Sequence, residues 1–330
     1  METVETVTQK GHRKRRIRLM AAQIFGIDHG NGNVKGCTQN IPCGLVRYVS
    51  EPGRFMTEDI LEYGGKYYVL SDTRMPFKED KTSDEDYFVL TLFILVMEAR
   101  SQGIQLNGKD VVLGVGLPPA DFGQQAARFK NYFLERSRHG VNFKINGKPV
   151  SFYIRDVFVS PQNFAAVMCY KASLFKKYRT VNCIDIGDGT VDLLVIRKGQ
   201  PDLSIRVSDR SGMAVLRSEI SNAVQQNFGL HLDSSDVEQV LMKEDTVLEP
   251  EVVEEITRMA GDWLALIVNK LHTHVADFRT NPTVFLGGGS LLLREQIERS
   301  PEFKYIEFIE DVKANAVGYS KLANARLNRG

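Results

Sequence analysis

Two stretches of the chain share one pattern of apolar and polar positions. Residues 23–28 (QIFGID) and 180–186 (TVNCIDI) are apolar, β-rich runs with an aspartate, Asp28 or Asp185, at or next to their last position. A turn rich in glycine follows each run, and glycine adopts backbone angles that are closed to other residues. A second strand-like run comes after each turn. The pattern therefore predicts two β-hairpins, each with an aspartate near the end of its first strand.

The stretch between these hairpins alternates between the apolar spacing of helices and that of strands. In chain order it predicts a helix at 84–102, a buried strand at 111–118, an amphipathic helix at 121–136, a hairpin at 142–159 and a helix at 161–178. The turn of that hairpin is Asn146-Gly147, the strongest short signal for a tight turn between two strands.

The second half continues the alternation after the hairpin that contains Asp185. It predicts a strand at 203–207, a helix after Gly212, a long helix at 249–278, a strand at 283–290 that ends in three glycines, a helix after it and a last helix at 312–327. Strands that alternate with helices indicate an α/β protein whose sheets are covered by helices.

Length and charge narrow the class of protein only slightly. A chain of 330 residues with 43% hydrophobic content is long enough for two domains. Its 42 Lys and Arg residues nearly balance 41 Asp and Glu residues, for a formal charge of +1, so no overall charge favours binding to nucleic acid or membrane.

The first 22 residues form a basic segment, with most of its charge between Lys10 and Arg18. Two interpretations stay open for this predicted tail. It can be a solvated terminus without fixed structure, or its cations can contact DNA phosphates or an acidic face of a neighbouring subunit.

The cysteines and the apolar runs both indicate a cytoplasmic protein without a membrane anchor. The four cysteines, which are Cys37, Cys43, Cys169 and Cys183, form no CxxC pair, and we expect small buried side chains rather than disulfides or metal ligands. No apolar run approaches the ~20 residues that cross a bilayer.

Three glycine-containing turns are the candidate chemistry of this chain. Backbone N–H groups in such turns approach the oxygens of a polyphosphate closely, because no Cβ stands in the way. Side-chain donors and one cation accompany them: Asn31, Asn33, Thr190, Ser290 and Lys35. The chain has no GxxxxGK[ST] motif and no GxGxxG that opens a helix, so a P-loop and a Rossmann dinucleotide site both lack support.

Asp28 and Asp185 are the candidate metal ligands. Mg²⁺ keeps most of its waters and is typically bound by one or two carboxylates together with phosphate oxygens. The alternative is that each aspartate only accepts hydrogen bonds from its own turn. Their repeated setting favours the first interpretation, a hydrated Mg²⁺ beside the β and γ phosphates.

At this point the chain resembles the actin superfamily, which includes actin, sugar kinases and the heat-shock chaperone ATPases. The segments that carry the resemblance are IFGIDHGNGNVKG (24–36), VSPQNFAAVM (159–168), CIDIGDGTVDLLVI (183–196), VFLGGGSLLL (284–293) and DVKANAVGYSKLAN (311–324). They look like two phosphate hairpins, two connecting segments and an adenosine motif, in the family's order and over nearly the whole chain.

Within that superfamily the chain is most similar to the bacterial ParM-type plasmid-segregation actins. GLPPADFGQQAARFKNYF (116–133) looks like the segment that precedes their second phosphate hairpin, and VSDRSGMAVLRSEI (207–220) is similar to their strand, turn and helix facing the nucleotide. The resemblance implies an actin-like, ribonuclease H-like duplicated α/β fold with two domains around a nucleotide cleft. Domain I would take residues 23–178 and 312–330, and domain II residues 179–311.

The resemblance also implies roles for single residues. Asp28 and Asp185 would position Mg²⁺, and Gln162 falls where the family orients the attacking water; a surface residue that starts a helix is the alternative for Gln162. The other residues expected around the nucleotide are Gly30, Asn31, Gly32, Asn33, Lys35, Gly187, Asp188, Gly189, Thr190, Gly212, Arg217, Gly287, Gly288, Gly289 and Ser290. For Arg217, as for Glu219, a solvated helix face is an equal alternative, and His29 is left unassigned.

The function implied by the resemblance is a filament-forming NTPase that uses ATP or GTP. Such a protein polymerises with bound nucleotide and segregates plasmid DNA through a DNA-binding adaptor protein that contacts a centromere-like site. The alternative is a small-molecule kinase of the same superfamily. A kinase requires a carboxylate base for the substrate hydroxyl, and Asp209 and Asp121 are the only candidates that we find.

Overall fold

The computed structural model describes residues 22–53 and 59–329. The predicted basic tail therefore lies, apart from residue 22, outside the described residues. The described chain forms two compact units. Unit 1 takes the residues up to Leu117 together with 121–169 and the residues from 313 onward; unit 2 takes 118–120 and 170–312. The sequence draws the boundary at residue 178, whereas the structure groups 170–178 with unit 2.

The elements alternate between strands and helices along most of the chain. The strands are β1 (Gln23–His29), β2 (Asn33–Lys35), β3 (Asn40–Pro42), β4 (Leu45–Tyr48), β5 (Leu61–Tyr63), β6 (Lys66–Leu70), β7 (Lys109–Leu117), β8 (Val141–Ile145), β9 (Lys148–Pro161), β10 (Thr180–Ile186), β11 (Val191–Arg197), β12 (Gln200–Asp209), β13 (Thr283–Leu286) and β14 (Ile306–Phe308). The α-helices are α1 (Asp86–Ser101), α2 (Pro119–Arg136), α3 (Phe164–Tyr170), α4 (Met213–Phe228), α5 (Ser234–Leu241), α6 (Pro250–Leu271), α7 (Gly288–Leu292), α8 (Arg294–Arg299) and α9 (Ala314–Arg329). Short 3₁₀ helices lie at Ala172–Lys176 and Phe278–Thr280.

The two sheets contain the same five-strand arrangement. The sheet of unit 1 has the order β3-β2-β1-β7-β9-β8-β5-β6-β4, and that of unit 2 has the order β12-β11-β10-β13-β14. In both, two antiparallel pairs are followed by two parallel pairs, since β1 and β10 each pair antiparallel with the next strand and parallel with a distant one. This repetition confirms the predicted duplicated α/β fold.

Glycines bring the last helix of unit 1 directly onto the central strands of its sheet. A Cβ on Gly26 of β1 would overlap the main chain of Ala316 in α9, and one on Gly114 of β7 would overlap the main chain of Tyr319. Because nothing but main chain separates helix from strand here, α9 fixes the position of β1, the strand that contains Asp28.

Helix α1 is buried on nearly all sides rather than on the single face that its spacing predicts. All residues from Tyr87 to Val96 are buried in unit 1. A helix that is apolar all round belongs inside a core, not at its surface. Unit 2 has its own core, in which Trp263 and Ile267 of α6 pack with Leu216 of α4 and Phe285 of β13.

Two helix predictions are wrong in their extent. The predicted helix at 161–178 is instead the end of β9, the short α3 and a 3₁₀ turn, because Pro161 still pairs with Leu117 of β7 and Asn163 takes a positive φ of 69°. The predicted helix at 249–278 ends at Leu271, and Phe278 enters the core of unit 2 from a separate 3₁₀ turn.

Candidate functional site

The first aspartate-bearing hairpin is formed by β1 and β2 of unit 1. Asp28 pairs across the hairpin with Lys35, so that the predicted acid and the predicted cation lie on neighbouring strands. The turn between the strands admits no side chain at its first position, since a Cβ on Gly30 would lie 2.6 Å from the main-chain oxygen of Asn33. The main-chain oxygen of Gly32 accepts a hydrogen bond from Cys43, at 3.0 Å.

Gln162 lies against Asp28, although 134 residues separate them along the chain. Its Nε2 donates a hydrogen bond to Asp28 Oδ1 at 2.9 Å, and both side chains are buried, with 8% and 6% of their area exposed. The main-chain N–H of Gln162 donates to Leu117 at the end of β7, at 2.8 Å. Gln162 is therefore not a surface residue at a helix start but a fixed neighbour of the candidate metal ligand.

The residue after Gln162 explains how this amide reaches the site. Asn163 is fully buried with a positive φ of 69°, and its main-chain N–H donates to Asn315 Oδ1 of α9 at 3.0 Å. Asparagine tolerates this left-handed conformation better than most residues do. The chain thus turns between β9 and α3, and α9 fixes the turn.

His29 points away from the hairpin turn and into the core of unit 1. Its ring is fully buried among Tyr87, Phe129 and Phe133. Thr91 donates its hydroxyl proton to the main-chain oxygen of Tyr87, so the 2.8 Å contact between Thr91 and His29 Nε2 requires Nε2 to carry the proton. His29, left unassigned by the sequence, is a neutral core residue.

Burial gives His29 a measurable effect on stability at low pH. Burial, with a smaller contribution from the Lys81 charge, lowers the pKa of His29 from 6.5 to about 3. Between these values the unfolded chain binds a proton that the folded chain does not, so the free energy of unfolding falls as the pH drops below about 6.5. From this one group we expect a loss of about 2 kcal/mol between pH 7 and pH 5.

Denaturant unfolding at several pH values measures this loss, with His29→Phe as the test variant. Phenylalanine suits the aromatic surroundings and cannot be protonated. Between pH 7 and pH 5 the free energy of unfolding of this variant should therefore fall by about 2 kcal/mol less than that of the unmodified protein. His139→Phe, at an exposed position of the same unit, is the matched control. An unaltered pH dependence in His29→Phe would contradict the buried neutral ring.

The second aspartate-bearing hairpin is formed by β10 and β11 of unit 2. Its turn closes with a hydrogen bond of 2.9 Å from the main-chain N–H of Gly187 to the oxygen of Thr190. Asp185 is half-buried just before this turn and pairs across the hairpin with Asp192. The local arrangement repeats that of the first hairpin, with an acid as the next-to-last residue of the first strand.

Asp192 is a candidate site residue that the sequence analysis missed. It is buried, with 4% of its area exposed, and its Oδ2 accepts a hydrogen bond from the Thr190 hydroxyl at 2.9 Å. The sequence contained a signal for Asp192, because a hairpin turn over residues 187–190 places residue 192 opposite residue 185. Two carboxylates opposite each other in an antiparallel pair share one face of the sheet.

Helix α4 begins directly against the second turn. The main-chain N–H groups of Met213 and Ala214 donate to the oxygens of Gly187 and Asp188, at 3.0 and 2.9 Å. A Cβ on Gly212 would lie 2.5 Å from the main-chain carbon of Gly189, so only glycine permits this approach. Gly212 thus allows α4 to approach the turn closely, a role that the sequence did not predict for it.

Arg217 of α4 contacts side chains of unit 2 rather than solvent. Its buried guanidinium donates to Asp188 of the second turn and, at 3.0 Å, to Glu238 of α5. The alternative of a solvated helix face is therefore wrong for Arg217, whereas Glu219 is exposed. Since its donors face Asp188 and Glu238, Arg217 is placed to fix the turn.

The third glycine segment packs against the second hairpin inside unit 2. Gly287 has a φ of 87°, and a Cβ there would overlap the Asp185 carboxylate. A Cβ on Gly289 would lie 2.5 Å from Cγ2 of Ile186 and 2.6 Å from Cγ of Met213. One glycine-lined cluster is therefore formed by the second hairpin, the start of α4 and the residues 287–289. Backbone N–H groups in such turns can bind phosphate.

The predicted side-chain donors are placed unevenly. Ser290 is fully buried and donates to the main-chain oxygen of Leu286 at 2.5 Å, and the hydroxyl of Thr190 is bonded to Asp192. Lys35 and Asn33 are half-buried on β2. Asn31 has a buried Oδ1 that accepts no hydrogen bond from the described part of the chain, and this oxygen suits a donor on a bound ligand such as metal-bound water.

The donor set fits a hydrated Mg²⁺ better than a metal enclosed by the protein. Across residues 22–53 and 59–329, no group of three or more His, Cys, Asp or Glu residues could bind a metal ion by itself. Mg²⁺ is commonly bound through one or two carboxylates and substrate phosphates, with waters at its other positions. The carboxylates of Asp28 and Asp185, each beside a glycine turn of its own unit, are of the type that holds such waters.

Two family models match the chain, one in each half. The model of the N-terminal domain of actin-like proteins matches residues 26–164, and the C-terminal model of the archaeal, MreB-like actin homologue matches residues 183–299. Together they include both aspartate-bearing hairpins, Gln162 and the third glycine segment. No curated protein sequence matches the chain at a significant level.

Solved structures share the fold at low sequence identity. The archaeal actin homologue Ta0583 is 20% identical with a TM-score of 0.75, over 92% of this chain and 99% of that one, and its complex with ADP also matches. The apo pSK41 ParM protein is 15% identical with a TM-score of 0.70, over 94% of this chain and 99% of that one. The Alp12 filament structure is 16% identical with a TM-score of 0.66, over 93% of this chain and 99% of that one.

None of the described helices is both long and apolar enough to cross a bilayer.

Proposed function

We propose, because this chain belongs to the actin superfamily, that it binds ATP or GTP together with Mg²⁺, hydrolyses it, and polymerises in the nucleotide-bound state. The duplicated pair of hairpins supports this proposal most strongly. In each hairpin an acid, Asp28 or Asp185, is the next-to-last residue of the first strand. A glycine turn follows, and a Cβ on its first glycine would lie 2.6 Å from main chain in the first hairpin and 3.2 Å from it in the second. Both units thus offer the two things that a magnesium-bound polyphosphate needs, which are carboxylates and backbone N–H groups.

Within this proposal, the residues Gly30–Asn33 and Gly187–Gly189 contact the phosphates. The segment Gly287–Ser290 contacts the ribose and the α-phosphate, and its hydroxyl-bearing Ser290 contributes through its main chain because its side chain is already bonded to Leu286. When bound, Mg²⁺ supplies positive charge that neutralises the developing charge on the phosphates. Asp28 and Asp185 would each accept hydrogen bonds from its waters.

Gln162 is the residue that we assign to the attacking water. An amide cannot abstract a proton at neutral pH, but it can hold a water in line with the phosphate. Because its Nε2 donates to Asp28, its Oε1 is the end that can accept a hydrogen bond from water. We therefore assign Gln162 a role in orientation, and not that of a general base.

Self-assembly is the proposed use of nucleotide turnover. The Alp12 relative is described as a filament, and the pSK41 relative as a ParM protein. By analogy with these proteins we propose that nucleotide binding favours subunit contacts and that hydrolysis destabilises the polymer, since a switch requires different contacts in its two states. A DNA-binding adaptor protein and a plasmid centromere-like site complete the proposal.

Asp209 of unit 2, one candidate base for the small-molecule kinase alternative, is already bonded to neighbouring groups. The carboxylate of Asp209 accepts hydrogen bonds from the main-chain N–H of Ser211, at 2.8 Å, and from Lys270, at 3.2 Å. Burial raises the pKa of Asp209, but the bonds from Ser211 and Lys270 outweigh it and the net pKa is lowered. A carboxylate with a lowered pKa is a weaker base, so this residue suits a structural role.

Light scattering with added nucleotide tests the proposal against the kinase alternative. With Mg²⁺ and ATP or GTP we expect the scattering to rise and then to decay as phosphate is released, and with a non-hydrolysable analogue we expect it to rise and persist. A protein that stays monomeric with ATP, with GTP and with a non-hydrolysable analogue of each, even at a high protein concentration, would contradict polymerisation.

A further inference from the structure

A buried lysine contacts the main chain of the first hairpin from behind. Lys81 lies in the loop before α1, with 7% of its area exposed, and its ammonium group donates to the main-chain oxygen of His29. The ammonium also lies 5.6 Å from the centre of the Tyr87 ring, a distance at which cation and ring attract each other. Burial of an ammonium is unfavourable unless it is well bonded, so its position calls for a functional reason.

The contact with His29 fixes the direction of the next N–H group. The described chain has no cis peptide bond, and in a trans peptide the C=O and the following N–H point in opposite directions. When Lys81 holds the His29 oxygen on one side, the N–H of Gly30 must point to the other. Gly30 is the first residue of the glycine turn, so the orientation of the first donor of that turn depends on Lys81.

Both partners of this contact are themselves anchored in unit 1. The His29 ring is bonded to Thr91 of α1, and the loop that carries Lys81 is fixed at the preceding residue. There, Asp80 accepts a hydrogen bond of 2.9 Å from the main-chain N–H of Thr82 and forms an ion pair with Arg128 of α2. A rigid loop thus places the ammonium group, and its positive charge also favours an anion at the nearby turn.

We infer that Lys81 is a positioning residue for the phosphates of the nucleotide, which it serves by fixing the His29–Gly30 peptide so that the N–H of Gly30 faces the ligand. This inference rests on the proposed function, since it assigns the ligand of the turn. It differs from the roles given above to Asp28 and Lys35 because Lys81 acts through the main chain of another residue.

Lys81→Met removes the ammonium and keeps most of the side-chain volume. Loss of one charge-assisted hydrogen bond at a binding turn should raise the KM for Mg²⁺-nucleotide about 10-fold. The turn contacts the phosphates in the ground state as well as in the transition state, so kcat should change by less than about 3-fold. Without nucleotide, hydrogen exchange at the amides of residues 30–33 should become faster.

Lys78→Met is the matched control from the same loop. Lys78 is also largely buried, and its ammonium forms ion pairs with Asp84 and Asp86. Its replacement therefore also removes a bonded charge, but among the described residues this charge has no bond to the hairpin. We expect its KM to stay within about 2-fold of the unmodified protein and its exchange at residues 30–33 to be unchanged. If Lys81→Met does not fold, Lys81→Gln serves the same test, because its shorter polar side chain removes the charge.

The outcomes separate this inference from the proposed function. Faster exchange at residues 30–33 in Lys81→Met, and not in Lys78→Met, supports the inference whether or not nucleotide binds. Equal exchange and equal KM in the two variants overturn it. If the unmodified protein binds neither mant-ATP nor mant-GTP, the proposed function fails, and the assignment of phosphate as the ligand of this turn fails with it.

Discussion

Replacement of Asp185 by asparagine is expected to lower the rate of phosphate release about 100-fold or more. Asparagine keeps the shape of the side chain but loses the charge that we assign to the Mg²⁺ site, and removal of a charged group that stabilises a transition state commonly has an effect of this size. The substitution is mild for the fold, because Asp185 is only half-buried before the turn.

Steady-state phosphate release with saturating nucleotide measures this effect. Asp202→Asn is the matched control in the same sheet, since Asp202 also has polar partners, Ser204 and Arg197, but lies away from the glycine turns. We expect this control to retain turnover within about 2-fold and to show a comparable change in Tm. Unchanged turnover in Asp185→Asn would remove Asp185 from the mechanism.

Replacement of Gln162 by alanine is expected to separate binding from hydrolysis. Nucleotide affinity should stay within about 3-fold, because Gln162 donates to Asp28 and we assign it no contact with the phosphates. Phosphate release should slow about 100-fold, since water is no longer held in line. Filaments of this variant should therefore persist longer after nucleotide is added.

Single-turnover phosphate release, mant-nucleotide binding and scattering decay together check this separation. Gln102→Ala is the matched control in unit 1, because Gln102 also donates its Nε2 to a carboxylate, that of Glu98, at 2.6 Å. Its turnover should resemble that of the unmodified protein. Loss of nucleotide binding in Gln162→Ala, rather than loss of hydrolysis alone, would show that the proposed orientation of water is wrong.

Local features of the chain were predictable because local chemistry determines them. The two aspartate-bearing hairpins follow from apolar runs that end in glycine turns. The turn at Asn146-Gly147 follows from two residue types that accept positive φ, and the structure has φ values of 52° and 76° there. The family models and the shared strand arrangement confirm the predicted superfamily and fold. These signals lie within about a dozen residues each, which is the range over which a sequence pattern is informative.

Contacts between distant residues were not predictable in the same way. Nothing near Gln162 in the sequence indicates its bond to Asp28, which depends on β1, β7 and β9 lying side by side. The pairing of Arg217 with Asp188 and Glu238 depends likewise on two helices and a turn. A solvated helix face was an alternative for Arg217 because the sequence does not show which residues pack against that face.

The extent of the predicted helix at 161–178 failed for a related reason. Its apolar spacing is that of a helix, but Pro161 belongs to β9, which pairs with β7, and Asn163 takes a left-handed conformation that interrupts any helix. Tertiary pairing thus overrides local propensity here. The interruption is also what brings Gln162 to Asp28, so the wrong prediction falls at the candidate site itself.

Phosphate release from ATP and from GTP, with Mg²⁺ and then with EDTA, tests the central claim most directly. The account predicts release from at least one nucleotide, above the spontaneous rate, that stops when EDTA removes the metal and falls about 100-fold or more in Asp185→Asn. Release no faster than the spontaneous rate with both nucleotides, or release that EDTA and Asp185→Asn leave unchanged, would contradict it.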